Sequence, residues 1–127
     1  MIASIDAATN ASLLLALDAA SLRQQAIATN IANANSVGYT RQRVSFEDQL
    51  GEARRTLAAD GSVDLFGLQG LAPRLVPAAS PGGAPQPVQL DVEMADLSRN
   101  TVHYQTLLKA LSRHYAILAT AIGDGKR

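Results

Sequence analysis

Among its 127 residues the chain has no cysteine and no tryptophan, and its aromatics are three Tyr and two Phe. Without Cys there is neither a disulfide nor a thiolate metal site, and the redox compartment leaves no mark on the sequence. With so few aromatics in an apolar fraction of 47%, Ala, Leu, Val and Ile supply the greasy surface, which suits helix-on-helix packing better than a sandwich or barrel. Charge of one sign is lacking too: 11 basic and 11 acidic residues cancel, so nothing draws the chain toward nucleic acid or an anionic membrane. No Lys or Arg precedes Arg23, so the basic leader of a cleaved secretory signal is missing. The apolar run Leu13 to Leu17 is too short to span a bilayer and is closed by Asp18, so no direct membrane insertion is expected.

What the sequence does contain is two long helical patterns. Leu13, Leu17, Ala20, Gln24, Ile27, Ile31 and Ala34 recur every three or four residues, and Leu15, Leu22 and Ala26 widen that face. A stripe this wide needs covering from more than one side. The helix is expected to begin between Asp6 and Ser12, where Asp6, Thr9, Asn10 and Ser12 offer N-cap oxygens, and to end near Asn35. Asn35, Ser36 and Gly38 are its stop signals, because Asn and Gly tolerate positive φ and the short polar side chains compete for backbone hydrogen bonds.

Asn30 and Asn33 lie just before that stop among small apolar residues, and Asn is a poor helix former. Three readings are open: the pair satisfies the last carbonyls and the turn beyond them, it makes buried polar contacts that fix the register of packed helices, or it is a frayed end with solvated amides.

The middle of the chain changes character twice. Arg41, Arg43, Glu47, Asp48, Glu52, Arg54 and Arg55 make residues 41 to 60 charged, read as solvated and mutually balanced. Tyr39 to Phe46 suits an extended segment and Phe46 to Leu57 a short helix. All five prolines fall within residues 61 to 90, where regular helix is excluded; Val63 to Leu68 and Leu71 to Val76 have room for short strands. The Pro81-Gly-Gly-Ala-Pro85 run reads as a mobile linker, not a phosphate loop, since no Lys-Ser/Thr follows its glycines.

The second helix is expected from Asp91 to about Ile122, with Gly123 as its stop. Met94, Leu97, Thr101, Tyr104, Leu108, Leu111, Tyr115, Leu118 and Ile122 keep a heptad spacing throughout. Asp91, Glu93 and Asp96 sit in its first turns, where acids complement the helix dipole. The fold expected is therefore mainly α: long N- and C-terminal helices paired as an antiparallel coiled coil, joined by an irregular Pro/Gly-rich middle with some β structure. It divides into an axial helix over 1–35, an exit turn, charged segment and linker over 36–90, and a second axial helix and tail over 91–127.

No catalytic, cofactor or metal site is expected. His103 and His114 return to nearly the same face but stand some 16 Å apart in rise, too far to share an ion. The acids at the second helix start are placed as any helix start would place them, and no nucleophile elbow occurs.

Asn30-Ile31-Ala32-Asn33, followed by Ser36, Gly38 and Tyr39, resembles the N-terminal signature of the bacterial flagellar axial proteins, and within them the basal-body rod family. The chain departs from that pattern with Val37 where Pro is frequent and Thr29 where a further Asn is common; neither removes the turn-forming residues. Asn100, Val102, Tyr104 and Leu107 are similar to that family's C-terminal helix. The resemblance implies a structural rod subunit that assembles into a tubular drive shaft, transmits torque and encloses the export channel. It implies as partners copies of itself, other rod proteins, and ring and export-gate components, with no nucleic acid. It implies a periplasmic location reached by flagellar type III export without a cleaved signal. Asn30, Asn33, Asn35, Ser36, Gly38 and Tyr39 would form the signature turn. Leu13, Leu17, Ile27, Ile31, Leu97, Tyr104, Leu108, Leu111, Tyr115 and Leu118 would pack the helices. A helical adaptor or export chaperone gripping one partner through an amphipathic groove is the alternative.

Overall fold

The computed structural model describes residues 2–45 and 70–125. Two helices dominate it: α1, Ile2–Ala32, and α2, Leu90–Asp124, of 31 and 35 residues. At 1.5 Å per residue they are about 46 and 52 Å long. Neither is long and apolar enough to cross a membrane.

α1 contains ten alanines and neither Gly nor Pro, so nothing in it interrupts helix propagation. It therefore starts before Asp6, earlier than the cap residues between Asp6 and Ser12 suggested. Cap chemistry permits a start; it does not impose one on residues that helical neighbours already hold. The end falls where expected. Asn33 N–H still reaches back four residues to Thr29 O at 3.1 Å, then Ala34 N–H tightens to Ile31 O at 3.3 Å. Ser36 to Tyr39 closes a β-turn through Tyr39 N–H to Ser36 O at 3.3 Å, with Gly38 at φ +77° in its third position. A lone positive φ there makes the turn type II. Val37 occupies the second position, where the fixed φ of Pro is favoured, so Val37→Pro should stabilise the chain by about 0.4–1 kcal/mol. A chemical-denaturation midpoint lower than the parent's would contradict this.

Beyond the turn the chain runs extended as β1, Gln42–Ser45, antiparallel to β2, Arg74–Pro77, in the register Gln42 to Pro77 and Val44 to Leu75. Of the three candidate extended stretches, Tyr39–Phe46 thus yields β1 and Leu71–Val76 yields β2 shifted toward Pro77. The expected helix from Phe46 to Leu57 and strand from Val63 to Leu68 lie outside the described residues.

Val44 is buried against Ala19, with Leu15 and Leu22 partly buried beside it. Those three α1 residues are on the widened flank of its apolar face, so β1 covers one side of the stripe while α2 covers the other. The Pro81–Pro85 run is a hydrogen-bonded turn where a mobile linker was expected. Ser80 N–H donates to Ala84 O and Gly83 N–H to Ser80 O, both at 2.8 Å, with Gly83 at φ +79°. Gln86 N–H then donates to Ala78 O at 3.1 Å, and Arg41 N–H to Gln86 O at 3.3 Å, which ties the returning strand to the start of β1. The prolines forbid helix but leave these donors in place.

α2 starts at Leu90 and runs through Gly123 to Asp124, so Gly123 is inside the helix; Gly125 N–H to Ala121 O at 3.2 Å makes the last turn. A single Gly lowers helix propensity by only about 1 kcal/mol, too little to end a helix of this length. Three cross-helix contacts set the direction: Asn30 with Glu93, Gln24 with Asn100, and Asn10 with Tyr115. As one number falls the other rises, so the helices are antiparallel.

The face of α2 that meets α1 is not centred where the apolar heptads placed it. Glu93 and Asn100 are buried, with Leu97, Leu107, Leu111, His114 and Leu118 half-buried along the same side. Met94, Tyr104, Leu108, Tyr115 and Ile122 are exposed, Leu108 by 43% and Ile122 by 65%. The inner line runs through Glu93, Asn100, Leu107 and His114 at intervals of seven, a heptad seam with polar residues at three of four places. Apolar residues flank that seam, and their periodicity marks oily surface without saying which part of it faces α1.

Candidate functional site

The signature residues gather at the end of α1, and Asn30 is the centre of the cluster. It is fully buried, and each of its hydrogen-bonding positions is used. Gln42 N–H donates to Oδ1 at 2.8 Å, and Nδ2 donates to the Gln42 carbonyl at 2.9 Å. The side-chain amide therefore pairs with β1 as a neighbouring strand would. The second Nδ2 hydrogen goes to Glu93 Oε2 at 3.2 Å, and Tyr39 Oη donates to Oδ1 at 2.8 Å. One residue thus joins α1, the exit turn, β1 and α2. Asn is the small side chain that supplies two donors and two acceptors in one plane.

Glu93 is buried as completely as Asn30, and its Oε1 accepts from Arg41 Nε in a short charge-assisted bond. Arg41 Nη2 also lies 3.7 Å from Asp96. Stripping water from a carboxylate costs several kcal/mol, recovered only when its lone pairs are matched, as Arg41 and Asn30 match them here. Two corrections follow. Glu93 is an interior acid rather than one more solvated acid at a helix start. Arg41 is not a balanced surface charge but the partner of an acid 52 residues away. The seven-residue interval from Glu93 to Asn100 was the available signal for the first; nothing local marks the second.

Burial first, and the charge of Glu93 second, push the Tyr39 phenol above its ordinary value. The folded chain holds that proton more tightly than the unfolded chain, so the linked stability is whole below the unfolded value of about 10 and is lost as pH rises through the folded one. Above about pH 10 the melting temperature should fall more steeply in the parent than in Tyr39→Phe. Equal slopes would contradict the linkage.

Asn33, Asn35 and Ser36 are placed differently. Asn33 Nδ2 donates to Thr29 O at 2.9 Å and Ser36 Oγ to Asn33 Oδ1 at 3.3 Å, so Asn33 finishes the helix end locally while Asn35 and Ser36 are exposed. The two asparagines therefore divide between them two of the readings left open: register by Asn30, helix termination by Asn33.

Further along the seam, Asn100 Nδ2 donates to Ala20 O at 2.9 Å and Gln24 Oε1 at 2.8 Å, and Tyr115 Oη to Asn10 Oδ1 at 2.9 Å. These are polar rungs that fit only one sliding position of the helices. Among the expected packing residues Leu17 and Ile27 are buried, and Leu13, Ile31, Leu97, Leu111 and Leu118 are half-buried. Tyr104, Leu108 and Tyr115 are exposed. His103 is exposed and His114 half-buried beside Tyr115, ring centroids 6.1 Å apart. Among the described residues no three His, Cys, Asp or Glu stand together as a metal site.

The helix exit thus carries a buried polar lock, and a long apolar face of α2 is left open. The family model for the flagella basal body rod protein matches residues 13–40, from within α1 through the exit turn. Over 114 residues, 84% of this chain and 86% of the other, the sequence is 30% identical to a protein of Aeromonas hydrophila. The chain belongs to the flagellar basal-body rod proteins, a family of structural subunits of the bacterial flagellum. The Aeromonas relative is the flagellar basal body rod protein FlgB, and it is FlgB that the chain resembles.

Proposed function

We propose that α1 and α2 form an antiparallel coiled coil that packs against the same helices of neighbouring subunits, building the tubular rod that transmits torque and encloses the export channel. The observation that carries this reading is the oily surface α2 leaves uncovered. Leu90, Val92, Met94, Val102, Tyr104, Leu108, Tyr115, Ile117 and Ile122 are all exposed. At 3.6 residues per turn, Tyr104, Leu108, Tyr115 and Ile122 make one ridge, while Val102 and Ile117 lie roughly opposite. Two different ridges suit heterologous contacts, which propagate instead of closing into a dimer.

Magnitudes favour several neighbours over one. Covering a half-exposed side chain of this size gains on the order of 1 kcal/mol. Association costs about 4–15 kcal/mol, so a single pairing along one ridge is weak and only a lattice of contacts is firm. Such a subunit stays dispersed until a growing end presents several surfaces at once. We place it in the periplasmic rod, delivered unfolded by flagellar type III export. Its further partners are the ring and export-gate components at the rod base, and it has no catalytic role.

Basal bodies isolated from cells lacking this chain should have no rod, and the cells should not swim; the parent gene should restore both. Complete rods in its absence would overturn the proposal.

A further inference from the structure

The side of α2 turned away from its seam with α1 carries charge of one sign. Val102, Thr106, Lys109, Arg113 and Ile117 recur at helical spacing there and are all exposed. From Leu97 to Gly123 the helix has no Asp or Glu, and neither Lys109 nor Arg113 has an ion-pair partner among the described residues. α1 supplies the complement. Its outer line is Ala7, Leu14, Asp18, Ser21, Gln25 and Ala28, again all exposed. Before Arg23 the only charged side chains of α1 are Asp6 and Asp18; Asp18 is the one on the outer line, and it too has no ion-pair partner among the described residues.

Like surfaces cannot cover each other here. Two α2 lines face to face would bring the Lys109 and Arg113 cations of two copies together, and two α1 lines would bring Asp18 to Asp18. Such juxtapositions oppose association, whereas the crossed pairing of α1 on α2 sets opposite charges together. Residue order then fixes the direction. Leu14 precedes Asp18 by four residues, and Ile117 follows Arg113 by four. Laid antiparallel, Asp18 meets Arg113 where Leu14 meets Ile117, with Ser21 beside Lys109 and Ala28 beside Val102. Laid parallel, matching either of the first two pairs breaks the other.

We infer that the outer line of α1 in one copy lies antiparallel on the Val102–Ile117 line of α2 in the next copy. The inference rests on the rod reading and names what covers the ridge opposite Leu108. Arg113 gives Asp18 a charge-assisted bond, and Leu14 and Ile117, 44% and 59% exposed in the single chain, bury each other. The two lines lie on opposite sides of the α1–α2 pair, so each copy offers one to each neighbour and the contact propagates instead of closing. Within a chain Asn10 meets Tyr115 and Gln24 meets Asn100, whereas between chains Leu14 meets Ile117. Adjacent copies are therefore staggered by about seven residues, about 10 Å along the helices.

The chain has no cysteine, so thiol pairs can be introduced without competition. In basal bodies from cells whose only form of this chain is Leu14→Cys/Ile117→Cys, mild oxidation should give a ladder of disulfide-linked multimers, because each copy joins two neighbours. Leu14→Cys/Val102→Cys, about 22 Å out of register, should cross-link at least about tenfold less. Charge gives a second arm that needs no cysteine. Arg113→Asp should lower the amount of this chain in isolated basal bodies at least about fivefold, and adding Asp18→Arg should restore most of it. Complete rods in which the matched pair gives no ladder, equal cross-linking of the two pairs, or a double reversal no better than Arg113→Asp alone would each overturn this pairing while the rod reading stands. Complete rods in cells lacking the chain would overturn both.

Discussion

Asn30→Leu should destabilise the chain by about 3–5 kcal/mol, although Leu has the same branched skeleton as Asn and suits a helix better. The loss comes from the groups left behind. The Gln42 N–H and carbonyl, the Tyr39 hydroxyl and one oxygen of Glu93 all bond to this one amide. In the variant they face a methyl group in a buried space where water cannot replace the amide. Asn30→Asp tests the same site by charge. Nδ2, now 3.2 Å from Glu93 Oε2, becomes an acceptor facing an acceptor, so that variant should be still less stable at neutral pH and recover partly on acidification. Urea unfolding followed by circular dichroism gives both values. A loss below about 1 kcal/mol for Asn30→Leu would show that the amide is solvated rather than interior.

Leu108→Asp should have the opposite profile. Leu108 is 43% exposed, so the isolated chain should lose only about 1–2 kcal/mol, less than Asn30→Leu costs, and stay folded. In the cell the same change should abolish swimming, because a carboxylate on the Tyr104–Leu108–Tyr115 ridge must be desolvated when a neighbour covers it. The separation is informative: a folded, soluble variant that cannot enter the rod places the defect in assembly. Motile cells with complete rods carrying Leu108→Asp would argue that this ridge faces solvent in the basal body.

Both helices were legible in the sequence because their apolar residues recur every three to four positions with no Gly or Pro between them. The exit was legible because Asn35, Ser36 and Gly38 crowd into four residues. The internal logic of the seam was harder to read. An acid three residues into a helix already has a sufficient explanation in the helix dipole, so Glu93 carried no sign of being buried. Its partner Arg41 lies among charges that look solvated, and the contact between them depends on the chain turning at Gly38 and returning antiparallel in α2. The heptad pattern correctly marked α2 as oily but could not tell the side facing α1 from the ridge beside it, since Leu97, Leu111 and Leu118 belong to both. The pairing of β1 with β2 rests on contacts between segments some 30 residues apart, which no local spacing encodes, whereas the turn at Pro81–Pro85 is closed by local bonds between Ser80, Gly83 and Ala84.

The claim on which the functional account depends is that the open ridge of α2 is covered by neighbouring subunits. Because the chain has no cysteine, Leu108→Cys introduces a unique thiol there. Its rate of maleimide labelling should be fast in the purified monomer and at least about tenfold slower in intact basal bodies from motile cells carrying the variant. Equal rates in the two states would mean that the ridge stays open in the assembled flagellum, and the account would be wrong.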